Sequence, residues 1–243
     1  MIRLPDTYYE VAKKDIKRLL HWLMPPNCLL CEQSTADSTH LFCSQCDLEA
    51  HLRTSYCQFC GQSFASGLDY CGRCLSQPAQ YDSCFCPFDF SGAMQQLIWR
   101  FKYQQQAYLA KPLAHILCAQ IDQSTILLPE AVVGVPSHSK TVRRRGYNQS
   151  YLLAHHISKI LGIPHIHGSL HKIKQTKRQA NLNLKQRQTN LRGSFKIVKP
   201  LQVQSLVIVD DVITSGATMN EISKIIKKNG VDYVQAWGLA HTR

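Results

Sequence analysis

The pattern of apolar and polar positions divides the chain at about residue 81. Before that point, apolar residues keep no regular period beyond the short run 19–24, and turn-forming residues are frequent. After it, short apolar runs alternate with segments in which apolar residues recur every three or four positions. Strands that alternate with helices in this way indicate an α/β domain with a parallel sheet.

The helical pattern is clearest in 92–103, where Met94, Leu97, Ile98 and Phe101 share one helical face. The same reasoning predicts three further helices and four strands. In chain order the predicted elements are strand 83–90, helix 92–103, helix 109–121, strand 131–136, helix 147–161, strand 205–209, helix 217–229 and strand 231–239.

Cysteine dominates the chemistry of the first part. Eight of the 11 cysteines form four Cys-x-x-Cys pairs: Cys28/Cys31, Cys43/Cys46, Cys57/Cys60 and Cys71/Cys74. Two thiolates from one tight turn supply two corners of a tetrahedron, so two pairs complete a four-sulfur zinc site. Four pairs therefore predict two structural zinc ions, because a site closed by four thiolates has no open position for catalysis.

Several alternatives remain open for these cysteines. Sequential pairing joins the first pair with the second and the third with the fourth, whereas cross-braced pairing joins first with third and second with fourth. Disulfides would need an oxidising compartment, and four thiolates also suit an iron–sulfur cluster. We interpret the three remaining cysteines, Cys84, Cys86 and Cys118, as packing residues.

Charge is distributed very unevenly along the chain. The formal net charge is +12, yet residues 131–209 contain 14 Lys and Arg and no carboxylate, and residues 1–90 are net negative. This local excess indicates an anionic partner, either a phosphate ligand or a nucleic acid. It also disfavours the cysteine-rich part as the main phosphate-binding surface.

The most informative segment is 206–218, LVIVDDVITSGAT. An apolar strand leads to Asp210 and Asp211, and a hydroxyl-rich loop then enters a helix. Backbone N–H groups and the positive end of the dipole at a helix N-terminus suit a phosphate. The carboxylates can accept hydrogen bonds from sugar hydroxyls or hold Mg²⁺ through water. A ligand with a phosphate at one end and a ribose at the other would satisfy both halves.

This segment resembles the phosphoribosyl pyrophosphate (PRPP) signature of type I phosphoribosyltransferases. From about residue 25 onwards the chain resembles the ComF family, a double zinc ribbon followed by a phosphoribosyltransferase domain, associated with competence for DNA uptake. The supporting strings are the four cysteine pairs, VP at 135–136, RRGYNQ at 144–149, the set Thr176, Gln179, Leu182, Arg187, Asn190 and Phe195, and the Asp-Asp loop. The resemblance implies an N-terminal helical segment 1–24, a ribbon module 25–80 and a type I phosphoribosyltransferase-like α/β domain 81–243, with a parallel sheet and flanking helices.

The resemblance also implies roles for individual residues. Asp210 and Asp211 would hold the ribose hydroxyls of PRPP, with Mg²⁺ bound together with that ligand. The 5′-phosphate cradle would be Thr214, Ser215, Gly216, Ala217 and Thr218. The pyrophosphate-side candidates are Ser137, His138, Lys140, Arg143, Arg144 and Arg145. A loop closing over PRPP would use Gln179, Arg187 and Asn190.

Each of these segments also has a simpler interpretation that assigns it no role in binding PRPP. The arginines can form a solvated helix cap, and 170–195 can be a flexible loop without a catalytic role. The histidines of 131–209 are interpreted as surface residues. Three functions follow: a phosphoribosyltransferase of unknown acceptor, a PRPP-sensing adaptor without turnover, or an uptake factor that binds single-stranded DNA through 131–209.

The termini and hydropathy suggest a location. No apolar run approaches the roughly 18 residues of a membrane span. Asp6, Glu10 and Asp15 lie where a signal peptide would be basic and then apolar. We therefore expect a cytoplasmic protein without a membrane span, whose partners are PRPP, single-stranded DNA or other proteins of the DNA-uptake machinery.

Overall fold

A computed structural model describes residues 27–35, 41–43, 45–46, 52–53, 55–63, 69–124, 126–176 and 190–242. The predicted helical segment 1–24 and the candidates Gln179 and Arg187 lie outside these residues. The chain divides into two compact units, Met1–Ala50 and His51–Arg243. The first contains the four-cysteine group Cys28, Cys31, Cys43 and Cys46, and the second contains the other group and the α/β body. The predicted domain boundary at residue 80 stays a prediction.

The second unit alternates strands and helices, as predicted. In chain order its elements are α1 (Gly72–Ser76), β1 (Ser83–Phe85), β2 (Phe88–Asp89), α2 (Gly92–Tyr103), a 3₁₀ turn (Ala107–Leu109), α3 (Ala110–Ser124), β3 (Ala131–Gly134), α4 (Ser139–Arg145), α5 (Gln149–Leu161), β4 (Leu170–Lys172), β5 (Phe195–Ile197), β6 (Ser205–Ile213), α6 (Ala217–Lys228) and β7 (Tyr233–His241).

The main sheet is parallel throughout. Its order is β1-β7-β6-β3, and β2 also pairs with β7. Strands β4 and β5 form a separate antiparallel pair. The α/β class with a parallel sheet and flanking helices is therefore confirmed. None of the described helices is long and apolar enough to cross a membrane.

Three local predictions were wrong in detail. The strand predicted for 205–209 continues to Ile213, because β7 supplies a hydrogen-bonding partner as far as Ile213↔His241. Asp210 and Asp211 therefore lie within the strand rather than after it. The predicted strand 83–90 is interrupted between β1 and β2, and helix α4 forms between residues 136 and 147, where no element was predicted.

The connection that follows β3 and the connection that follows β6 lead to opposite edges of the sheet. After β3 the chain passes through α5 to an isolated parallel bridge, Val132↔His165, on the outer side of β3. After β6 it passes through α6 to β7 on the other side. Because such crossovers are right-handed, the two helices cover opposite faces of the sheet. A crevice opens between the carboxyl ends of two strands at such a switch point, and ligands of α/β proteins bind there.

The second four-cysteine group packs directly on the α/β body. Cys84 of β1 donates its N–H to the Gln58 carbonyl at 2.7 Å. The Arg53 side chain is 2% exposed, donates to the Cys86 carbonyl and forms an ion pair with Asp89 at 3.4 Å. A Cβ added to Gly61 would lie 2.8 Å from the Cys84 sulfur. Arg53 and Cys84 therefore serve packing between the cysteine group and the sheet.

Candidate functional site

The predicted carboxylate pair lies at the carboxyl end of β6, beside the switch-point crevice. Successive side chains of a strand point to opposite faces, so the two carboxylates meet different neighbours. Asp210 Oδ1 accepts hydrogen bonds from Ser150 Oγ at 2.7 Å and from the Asp211 N–H at 3.0 Å. Asp211 Oδ1 accepts from the Val212 N–H at 2.8 Å and is bound by Lys102 Nζ at 2.7 Å. Each carboxylate is thus held twice through one oxygen, which leaves Oδ2 of each for another contact.

Burial sets the electrostatics of this pair. Burial, with the neighbouring Asp211 charge as a second cause, raises the pKa of Asp210 to about 6. Burial opposes the charge of Lys102, but Asp211 and Asp210 together raise its pKa, so the ammonium stays protonated. Burial lowers the pKa of Lys172 on β4, and Asp210 partly offsets this effect. Lys102 therefore supplies positive charge to the carboxylate pair, and Lys172 lies within electrostatic range of Asp210.

The loop predicted to cradle a phosphate connects β6 to α6. Gly216 is the N-cap of α6 with φ of +71°, a left-handed conformation that suits glycine, and Ala217 is the first helical residue. A Cβ at Gly216 would lie 2.7 Å from the Tyr81 hydroxyl, so buried Tyr81 supports the loop from behind. The first N–H groups of a helix lack intrahelical acceptors, and this turn also contains the hydroxyl residues Thr214, Ser215 and Thr218.

The basic candidates divide into two kinds. Helix α4 places Lys140, Arg143 and Arg144 in solvent, after Ser137 and the N-cap His138, whose Nδ1 accepts from the Lys140 N–H at 3.3 Å. Arg145 instead donates to Gln149 Oε1 at 3.1 Å, and its guanidinium lies 5.2 Å from the Tyr103 ring centroid. The Asn190 carbonyl accepts from Ser194 Oγ at 3.3 Å, before β5.

Buried polar atoms without a hydrogen-bond partner concentrate in this region. Among the described residues seven such side-chain atoms occur, and four of them belong to site residues or to their immediate neighbours. Those four are Asp211 Oδ2, Ser215 Oγ, Arg145 Nε and Gln149 Nε2. Buried polar groups in native proteins normally have partners, so this clustering is typical of a site that a polar ligand completes.

Sequence reasoning missed Lys102, Ser150, Lys172 and Tyr81. Lys102 lies in the last turn of an amphipathic helix, where lysine is common, and its partner Asp211 follows far along the chain. Ser150 is one of several small polar residues near the start of α5. The one available signal concerns Lys172. Because 131–209 contains no carboxylate, Asp210 and Asp211 are the first acidic residues after it that could pair with this lysine.

Each four-cysteine group consists of two consecutive Cys-x-x-Cys pairs, as in the sequential alternative, and the cross-braced alternative is wrong. The sulfurs of each group lie within 4.8 Å of one another. Sulfur–sulfur distances are 3.6 Å for Cys31–Cys43 and 3.7 Å for Cys60–Cys71. A tetrahedral zinc site with Zn–S bonds of about 2.3 Å has S–S edges of roughly 3.8 Å. Both groups therefore fit zinc.

Local hydrogen bonds support this interpretation of the cysteine groups. The Leu30 N–H donates to the Cys28 sulfur at 3.4 Å, and the Cys71 N–H donates to the Cys57 sulfur at 3.3 Å. Burial opposes the charge of the Cys28 thiolate, yet backbone N–H groups lower its pKa to about 6. Burial, together with the neighbouring thiols, raises the pKa of Cys46 to about 12. Only a bound cation would keep all four sulfurs of such a group ionised.

Comparisons with known proteins cover both parts of the chain. Residues 19–75 match the family described as "Double zinc ribbon domain". Competence protein F of Haemophilus influenzae is 33% identical over 220 residues, which cover 88% of this chain and 96% of that protein. DNA utilization protein YhgH of Salmonella typhimurium is 33% identical over 223 residues, covering 90% and 98%.

YhgH of Escherichia coli K12 is 30% identical over the same length and coverage. Among solved structures, a purine phosphoribosyltransferase from Pyrococcus horikoshii superposes with a TM-score of 0.33 and 17% identity. That match covers 57% of this chain and 84% of the other.

We expect purified protein to contain two zinc ions per chain, and Cys28→Ser or Cys57→Ser to retain one. Because the second group packs on the α/β body, Cys57→Ser should lower the thermal midpoint of that body more than Cys28→Ser does. Metal analysis and thermal unfolding monitored by tryptophan fluorescence, to which buried Trp237 contributes, test both points. Iron, one zinc in the native protein, or equal midpoints of the two variants would contradict the assignment.

We expect Lys102→Met to lower the free energy of unfolding by about 3–5 kcal/mol, because it leaves the Asp211 carboxylate buried without its counter-ion. The double variant Lys102→Met/Asp211→Asn should recover most of the loss, since it removes the stranded charge. Exposed Lys111 gives the matched control Lys111→Met. Denaturant unfolding measures the effect, and equal losses in Lys102→Met and Lys111→Met would refute it.

Proposed function

The chain belongs to the family that includes Competence protein F and DNA utilization protein YhgH, and we propose that it binds PRPP with Mg²⁺ between the carboxyl ends of β3 and β6. The observation that carries this proposal is the sequence of groups along β6. A carboxylate pair with Asp210 partly buried and Asp211 buried is followed within about one turn by a helix N-terminus with three hydroxyl side chains. These groups match the ribose and the 5′-phosphate of one ligand.

The two carboxylates have different roles in binding the ribose. Asp210 is the less buried of the two and offers Oδ2 to a ribose hydroxyl. The Asp211 side chain is 4% exposed, and its Oδ2 is a buried acceptor without a donor. Because this atom is shielded from solvent, a ligand contact there requires a local shift of a covering side chain. Ser150 and Lys102 fix the other oxygen of each carboxylate and so orient both.

The phosphate groups have separate positions in this proposal. The 5′-phosphate lies against the backbone N–H groups and hydroxyls of residues 214–218. The pyrophosphate lies on the side of Ser137, His138 and α4, where exposed Lys140, Arg143 and Arg144 can approach it. Gln179, Arg187 and Asn190 remain proposed contacts of a loop that closes over the ligand.

Oxygen ligands fit the magnesium that would accompany PRPP. The site offers carboxylate oxygens, and Mg²⁺ usually keeps several waters while it binds one or two carboxylates and substrate phosphates. When bound, it would neutralise charge on the pyrophosphate. The chain's own contribution to a transfer reaction would be orientation of the ribose by Asp210 and Asp211, with electrostatic support of a ring that becomes positive as pyrophosphate departs.

Calorimetry with Mg²⁺ and PRPP tests the central proposal. We expect the wild-type protein to bind and Asp210→Asn to bind roughly 10- to 100-fold more weakly, because it loses a charge-assisted acceptor for a ribose hydroxyl. Asp210→Ala/Asp211→Ala should abolish binding. Exposed Asp232, beside the opposite end of β7, supplies the control Asp232→Asn, which should bind normally. A wild-type protein that does not bind PRPP would overturn the proposal.

Release of pyrophosphate separates enzyme from sensor. A phosphoribosyltransferase releases pyrophosphate when a suitable nitrogen acceptor is supplied, whereas a PRPP-sensing adaptor binds the ligand and keeps it intact. The names of the relatives indicate DNA uptake as the setting of either activity. A coupled pyrophosphate assay with candidate acceptors decides between the two, provided that PRPP binding has been established first.

Binding of single-stranded DNA is a second candidate, favoured by the exposed cations of α4 and by the 14 Lys and Arg of 131–209. We expect the affinity to fall with salt, with a slope of about −0.7 per neutralised phosphate on the logarithmic plot. Arg143→Ala/Arg144→Ala should reduce the slope by roughly one unit or more. Lys111→Ala/Lys228→Ala, which changes exposed cations on α3 and α6, is the matched control. A flat salt response would exclude phosphate-dominated binding.

A further inference from the structure

Two exposed aromatic residues lie on α2, the helix that contains Lys102, and have no role in the site so far. Trp99 and Tyr103 are one turn apart on α2, and their side chains are 52% and 54% exposed. Their ring centroids are 6.0 Å apart with an interplanar angle of 49°. Soluble proteins do expose single aromatics, but two adjacent large rings on one helix indicate a binding surface.

A series of contacts links Tyr103, and through it Trp99, to the residues that hold the carboxylate pair. Tyr103 directly follows Lys102, whose ammonium binds Asp211. The guanidinium of Arg145 lies over the Tyr103 ring and binds Gln149, and Gln149 directly precedes Ser150, whose hydroxyl binds Asp210. Tyr103 and Gln149 are therefore each one residue away from a side chain that anchors a carboxylate.

The polar surroundings of these rings indicate what binds there. Arg145 Nε and Gln149 Nε2 are buried N–H donors without acceptors. Exposed Arg143 and Arg144 lie on the same short helix as Arg145. Aromatic faces beside guanidinium groups and unused donors suit a planar, heteroaromatic group that carries carbonyl or ring-nitrogen acceptors. A purely apolar protein partner would leave those donors unpaired.

We propose that Trp99, Tyr103, Arg145 and Gln149 form a subsite for a nucleobase, which we call the aromatic subsite. The inference rests on the proposed function, since it names the class of molecule that meets the ribose at this site. It also gives Arg145 a role different from that of Arg143 and Arg144, because its guanidinium is already engaged with Tyr103 and Gln149. The base can come from a free base or nucleoside, or from single-stranded DNA.

Binding measurements on the full zinc-loaded chain, with PRPP and Mg²⁺ present, test the proposal. One arm titrates free nucleobases and nucleosides. The other titrates short single-stranded oligodeoxynucleotides against abasic strands of equal length at one fixed salt concentration. An abasic strand keeps the phosphates and removes the stacking partner, so it separates base recognition from phosphate contacts. We expect at least one base-containing probe to bind, and the abasic strand to bind more weakly than its parent.

The variants identify the surface responsible. Tyr103→Leu and Trp99→Leu should each weaken binding of that probe roughly 5- to 150-fold, the range for loss of one stacked base. Tyr103→Phe keeps the ring and should bind within about twofold of the wild type, as should the control Tyr233→Leu. Tyr233 is exposed at the amino end of β7, away from the carboxyl-end crevice.

Two outcomes overturn the aromatic subsite: no base-containing probe binds, or Tyr103→Leu and Tyr233→Leu bind the probe equally well. Calorimetry with PRPP on each variant keeps this result separate from the proposed function. Failure of the wild-type protein to bind PRPP counts against the PRPP site itself. Retained PRPP binding without any base recognition counts against the aromatic subsite alone.

Discussion

The ion pair between Lys102 and Asp211 is the interaction on which the site at β6 depends. Two adjacent carboxylates on one buried strand repel each other and lose hydration, so an uncompensated pair would protonate or distort the strand. Lys102 compensates one charge at 2.7 Å, and Ser150 satisfies the other carboxylate at 2.7 Å. The first contact ties helix α2 to β6 and the second ties α5 to β6. Two helices are thus tied to β6 through the residues that shape the site.

This arrangement has a consequence for an anionic ligand. A bare carboxylate pair would repel a polyphosphate, whereas the Lys102 ammonium compensates the charge of Asp211, and the contacts of Lys102 and Ser150 use only Oδ1 of each carboxylate. In the proposed complex, positive charge for the phosphates would come from two further elements, the N-terminus of α6 and the cations of α4. Carboxylates and phosphate-binding groups can therefore occupy one crevice, because each sign of charge has its own supporting elements.

Sequence reasoning succeeded where the signal is local. The amphipathic period of 92–103 gave α2 with its observed bounds, and the cysteine spacing gave both four-sulfur groups. It failed where a residue or strand distant in the chain determines the local structure. Strand β6 extends through two aspartates because β7 supplies its hydrogen bonds, and the Lys102–Asp211 contact leaves no trace in local composition. Helix α4 has no buried residue, so no apolar period marks it.

The surplus of positive charge in 131–209 does not form one uniform surface. Lys172 lies close enough to Asp210 for that carboxylate to affect its pKa, and Arg145 is engaged by Tyr103 and Gln149. Lys140, Arg143 and Arg144 face solvent on the same stretch. Cations turned inward lose hydration and are retained where a carboxylate or an aromatic ring compensates them, whereas cations in solvent need no such partner. The same basic stretch can therefore contribute inward-facing cations to the proposed ligand site and still expose other cations that could bind a second anionic molecule.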